Sequence, residues 1–159
     1  MIMPIGRHRS GMKFLIATDG STASDRALEY AASLVDLDRD AVTLVHVVDP
    51  EVYAETASEP AANVTEAQDK IVASVRDAED RGERILEEAV DDAEAIGMDV
   101  DAELLYGNPA TEVASYAADV DADGVFVGTT GKSERAERVL GSVAKNLVER
   151  ADCPVTVVR

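Results

Sequence analysis

Short apolar runs alternate along the chain with longer stretches in which apolar residues recur every three or four positions. Residues 13–18, KFLIAT, form an apolar run that stops at Asp19-Gly20-Ser21. A run of that length bounded by a turn reads as a strand buried on both faces. In STASDRALEYAASLVD the spacing becomes helical: Ala27, Leu28, Ala31, Leu34 and Val35 share a face, and Ser21 or Thr22 can cap the first turn. AVTLVHVVDP returns to a β-branched run and ends at Asp49-Pro50. Residues 51–64, holding Pro60 and Asn63, read as a loop or lid. From Thr65 to about Ile96 one stripe carries Ile71, Val75, Ala78, Ile85, Ala89, Ala93 and Ile96, with acids elsewhere. Gly82 is placed to break this helix in two and Gly97 to end it. DVDAELLY, residues 99–106, alternates at first, as a strand nearer an edge does. GNPATEVASYAADVD gives a turn and a helix with Pro109 in its first turn. DGVFVG at 123–128 is another strand, Val139 to Ala151 reads as helical, and CPVTVV closes the chain as a last strand.

Strand and helix therefore alternate throughout, which predicts an α/β, doubly wound fold: a five-stranded parallel sheet with helices on both faces. The 159 residues suit one domain, taken as 12–159. Residues 1–11 are basic, lack the apolar stretch of a signal peptide and read as a flexible leader, unless translation begins at Met12. Aromatic residues are only 4% of the chain and Trp is absent, so the core must be built from Val, Leu, Ile and Ala.

Charge narrows the partners. Acids number 32 against 15 bases, a net −17, and lysine occurs only at Lys13, Lys70, Lys132 and Lys145. Such a surface suits molar salt, where a Debye length of about 3 Å screens self-repulsion, and a halophilic, archaeal source is expected. The same charge argues against nucleic acid or an anionic membrane as partner. No apolar run approaches a membrane span. The single cysteine, Cys153, fits a reducing cytoplasm, and its place before PVTVV favours burial over reactivity.

The stretch VGTTGKSERAERVLGSVA, residues 127–144, carries the candidate chemistry. A Walker A loop would need glycine at position 126, where Phe126 stands. The dinucleotide fingerprint fails as well, because Asp19-Gly20-Ser21 follows the first strand. There is no zinc spacing and no Ser-His-Asp order; His46 in mid-strand reads as a buried, hydrogen-bonded side chain. What remains is Gly128, two residues, Gly131, nine residues, then Gly141-Ser142. Glycine at the first two positions lets backbone N–H groups approach a phosphate, and a helix opening at Gly141-Ser142 suits an anion. On spacing alone a ligand-free connection stays open. The charge of the segment favours a ligand: Lys132, Arg135, Arg138, Lys145 and Arg150 outnumber Glu134, Glu137 and Glu149 within a strongly acidic chain.

Taken together, KFLIATDGSTASDRALEYAASL, VTLVHVVDP, GNPATEVASYAADVDADGVFVGTTG, VLGSVAKNLVERADCPVTVVR and the G-x2-G-x9-G-S spacing resemble the nucleotide-binding class of universal stress proteins over residues 12–159. The resemblance implies a sheet order of 3-2-1-4-5 and a site for ATP, or AMP or ADP, with Mg²⁺ or Mn²⁺ bridging phosphate oxygens. It places Ala17, Thr18 and Asp19 at the adenosine end and the backbone of Val47 against adenine. Val127, Gly128, Thr130 and Gly131 would line ribose and phosphates, while Gly141, Ser142 and Val143 would offer backbone N–H groups, and Ser142 its hydroxyl. It also implies a homodimer in which PVTVV pairs across a twofold axis. The expected role is a nucleotide-dependent stress-response or signalling protein. No general base or Walker-type lysine is evident, so no catalytic residue is assigned and any hydrolysis should be slow. The alternative is a non-nucleotide dimeric adaptor for protein partners; an adenylyl-transferring enzyme would lack the paired histidines its chemistry uses.

Overall fold

In β1 (Lys13–Ala17), Leu15 and Ile16 are both fully buried, and consecutive strand residues point to opposite faces. The strand therefore feeds two cores, which is why its apolar run is unbroken. The structure, a computed structural model, describes residues 11–50, 63–130 and 140–159. β2 (Ala41–Val48), β3 (Val100–Tyr106), β4 (Gly124–Gly128) and β5 (Val155–Val158) join β1 in a parallel sheet of order β3-β2-β1-β4-β5. This is the expected doubly wound architecture, with β3 at one edge. The helices are α1 (Thr22–Leu34), α2 (Val64–Ile96), α3 (Pro109–Asp119) and α4 (Ser142–Arg150).

One core joins Ile16, Leu44 and Phe126 of the sheet to Leu28 and Ala31 of α1 and Leu86, Ala89 and Ala93 of α2. The other joins Leu15, Val45, Val125 and Val127 to Ala110, Val113 and Ala117 of α3 and Ala144 and Leu147 of α4. Alanine at most of the helix contacts allows close approach, which is how a core with few aromatics fills its volume.

One local expectation is corrected and another holds. α2 is not divided at Gly82 but runs unbroken for 33 residues, capped by Asn63 and closed by Gly97 in the left-handed region (φ 93°). Glycine inside a helix costs about 1 kcal/mol relative to alanine, yet a Cβ at position 82 would sit 2.9 Å from both His46 Cδ2 and Leu104 Cδ1. Close packing of α2 on the sheet outweighs propensity there. The last helix opens at Gly141-Ser142 as expected, with Gly141 extended (φ −61°, ψ 159°) before it.

Cys153 is half-buried, and desolvation pushes its thiol upward, with Asp152 and Asp123 adding to the effect. At neutral pH it is a thiol that packs beside the second core, not a thiolate. No helix among the described residues is long and apolar enough to cross a membrane. The leader up to residue 10, the loop or lid at 51–62, Gly131 and the cations Lys132, Arg135 and Arg138 lie outside the described residues.

Candidate functional site

The strands do not end together. Pairing of β1 with β4 stops at Ile16↔Phe126 and with β2 at Ala17↔Val45, while β2 and β3 stay paired to Val48↔Tyr106. Successive strands step outward from β1 to β3 on one side, and from β4 to β5 on the other. The sheet thus opens beside β1 where its winding reverses, the place where ligands of such folds gather.

A cleft of about 770 Å³, its open mouth included, occupies this gap. Its floor is apolar: Ala17, Val45, Val47 and Val127 from the strands and Val113 with Pro109 from α3. One rim is the β1–α1 turn with Asp19 and Ser24; the other runs from Gly128, Thr129 and Thr130 to Gly141, Ser142, Val143 and Ala144. His46 completes the lining.

The β1–α1 rim is tightly tied. Asp19 Oδ1 accepts from the Ser21 N–H at 2.9 Å, across Gly20 in the left-handed region (φ 75°). Ser21 caps α1 by accepting the Ser24 N–H at 3.2 Å, and the Ser24 hydroxyl donates back to the Ser21 carbonyl at 2.9 Å. The opposite rim differs. Gly141 brings no side chain to cap α4, and a first helical turn has no carbonyl within the helix for its N–H groups.

Of the expected residues, Ala17, Asp19, Val47, Val127, Gly128, Thr130, Gly141, Ser142 and Val143 all line this one cleft. Thr18 does not. Its side chain is buried, donates to Ser24 Oγ at 3.2 Å and accepts the Gly20 N–H at 3.4 Å, so it holds the turn instead. The Gly141 N–H, expected to face a phosphate, donates to the Thr129 carbonyl at 2.6 Å. Gly128 is glycine for a reason not foreseen: a Cβ there would lie 2.7–2.8 Å from the carbonyl carbon, carbonyl oxygen and Cβ of Ala23. It admits the first turn of α1 against β4.

Val45, Pro109, Val113, Ser24 and His46 were not foreseen as lining residues. Val45 could have been found, since it lies two residues from Val47 on the same strand face. The α3 residues could not, because nothing local places that helix over the gap.

An open parallel sheet with an apolar crevice at its winding reversal defines the Rossmann-like, doubly wound class. Within it, the chain belongs to the universal stress protein family, whose sequence model matches residues 12–159. It is 31% identical over 147 residues to the universal stress protein MJ0531 of Methanocaldococcus jannaschii, covering 92% of this chain and 81% of that one. The solved structure of MJ0577, from the same organism, superposes with a TM-score of 0.77 at 25% identity, covering 94% and 96% of the two chains. A universal stress protein crystallised in complex with cAMP superposes with a TM-score of 0.65 at 27% identity, covering 94% and 98%.

Proposed function

We propose that this protein binds an adenine nucleotide, ATP or its AMP and ADP forms, in the cleft beside β1 and acts in stress response by nucleotide-dependent conformation or partner choice. One juxtaposition carries the reading: an apolar slot between Val47, Val127 and Val113 suited to a flat base lies beside the N-terminus of α4, whose dipole suits phosphate and whose N-cap is a glycine. The cAMP complex of a structural relative supports it. In this assignment Ala17, Asp19 and Val47 hold the adenosine, Val127, Gly128 and Thr130 follow the ribose and first phosphate, and Ser142 and Val143 receive the phosphate chain.

No group of three or more His, Cys, Asp or Glu side chains capable of holding a metal occurs among the described residues. Mg²⁺ or Mn²⁺ would enter with the nucleotide, on its phosphate oxygens. No catalytic residue is assigned in this reading; the hydrogen bond from His46 Nδ1 to the Thr18 carbonyl serves the turn. Turnover of ATP is expected below about 1 s⁻¹, and a faster rate in a malachite-green assay would refute this part.

Two further features belong to the same reading. β5 is a sheet edge whose residues Val155–Val158 are all half-buried, and pairing with a second copy would cover its open backbone groups. The acid excess is read as adaptation to molar salt, so the thermal midpoint should climb steeply with KCl.

The deciding experiment purifies the protein in molar KCl, identifies small molecules released on denaturation by mass spectrometry, and titrates ATP·Mg²⁺ into stripped protein. Bound or titratable adenine nucleotide supports the assignment. None under any salt or metal condition refutes it and favours the adaptor role.

A further inference from the structure

We infer that His46 is a positioning residue for this cleft, seated by Gly82 of α2 and acting through the Thr18 carbonyl on Asp19. The inference rests on the nucleotide reading for its functional half only.

The geometry begins where β1 and β2 part. The last main-chain link between them is the Thr18 N–H to the Val45 carbonyl, 2.9 Å. The Thr18 carbonyl is then taken up by a side chain, His46 Nδ1 at 2.7 Å. A carbonyl can only accept, so Nδ1 carries the proton. On its other flank the ring meets α2, where the missing Cβ of Gly82 makes the room: a Cβ would lie 2.9 Å from Cδ2 and 3.4 Å from Nε2. The imidazole is thus wedged between a helix of one layer and the carbonyl that immediately precedes Asp19.

Asp19 depends on what holds Thr18. The hydroxyl of Thr18 ties it to Ser24 within the same turn, and that local link moves with the turn if the turn moves. The ring comes from another strand, 28 residues away, so it fixes the turn relative to the sheet and hence to the cleft floor. Without it a carbonyl beside the cleft loses its donor, and the Asp19 to Ser21 hydrogen bond loses its anchor. A cavity wall facing the second core is thereby set from the first.

The test uses full-length protein and the variants His46→Leu, His46→Asn and Gly82→Ala. Asparagine can place an N–H donor where Nδ1 stands, leucine cannot, and alanine at 82 displaces the ring without altering it. In unliganded protein the Ser21 amide should exchange about tenfold faster in His46→Leu and Gly82→Ala, on the scale of one hydrogen bond, with His46→Asn within about threefold of the parent. The Kd for ATP·Mg²⁺ should follow the same order. In an Asp19→Ala background, His46→Leu should weaken ATP no further, because the two residues act in one line. Parent-like exchange in both His46→Leu and Gly82→Ala, a defect in His46→Asn as large as in His46→Leu, or additive losses with Asp19→Ala would each overturn the inference. Should the parent bind no ATP, the nucleotide reading alone fails, and the exchange rates still decide whether His46 holds the turn.

Discussion

Two helices begin at the carboxyl edge of the same sheet, a few residues from the same cleft, and they are finished in opposite ways. α1 starts inside a closed set of hydrogen bonds among Thr18, Asp19, Ser21 and Ser24, with Thr18, Ser21 and Ser24 all buried. α4 starts at a glycine, with Ser142 and Val143 exposed to the cleft side. Both ends carry the partial positive charge of a helix N-terminus, but the first turn of α1 is already supplied with acceptors. Proximity to the sheet opening does not make a helix end a receptor for anions. At α1 the cap residue's own side chain supplies an acceptor, whereas the cap residue of α4 is a glycine and brings none.

The contrast can be broken from the α4 side. Gly141→Asp keeps a backbone conformation that aspartate readily adopts and gives α4 the cap that α1 already has. It should leave the urea midpoint unchanged or slightly higher, while weakening ATP·Mg²⁺ by about 100-fold or more in calorimetric titration, because a carboxylate would occupy the phosphate position. From the other side, Gly128→Val should cost about 2–3 kcal/mol in urea unfolding, as its side chain meets the backbone of Ala23. Ser21→Ala removes a cap whose loss typically costs about 1 kcal/mol, and should lower stability with a smaller change in ATP affinity than Gly141→Asp.

The smallest effect concerns charge around α1. Burial, and after it the carboxylates of Asp92, Glu29, Asp19 and Glu88, hold Asp25 above its usual value of 3.8. The native state therefore binds this proton more readily than the unfolded chain. The associated stability is present below the unfolded value and is lost as pH rises through the folded one. Asp25→Asn should accordingly be slightly more stable than the parent at neutral pH and low salt. The difference should shrink in molar KCl and vanish near pH 3, as thermal melts across that grid would show.

Most of the architecture was legible because each strand is an apolar run bounded by a turn and each helix carries a stripe. The failures share one cause, contacts between residues distant in sequence. Gly82 looked like a breaker because propensity is local, whereas its reason is the ring of His46 36 positions earlier. Gly128 lines the cleft as expected, but that its missing Cβ also admits Ala23 could not be read locally. His46 was rightly read as hydrogen-bonded but is half-buried rather than buried, and neither its partner nor its place in the cleft lining could be read from a single strand. Thr18 was expected to face the site because it ends a strand; the turn chemistry of Ser21 and Ser24 draws it inward. The grouping of nine expected residues around one cleft was legible through the family resemblance that the strand ends and the glycine spacing carry.

The division of the molecule into two cores has a mechanical consequence. The apolar floor of the cleft belongs to the core beneath α3 and α4, whereas Asp19, Ser24 and His46 reach it from the layer of α1 and α2. A molecule seated there touches both halves and acts as a clasp across the sheet. Saturation at 100 times its Kd would add about 2.7 kcal/mol to global stability, and it would do so by penalising any motion that lets one layer slide or peel from the other.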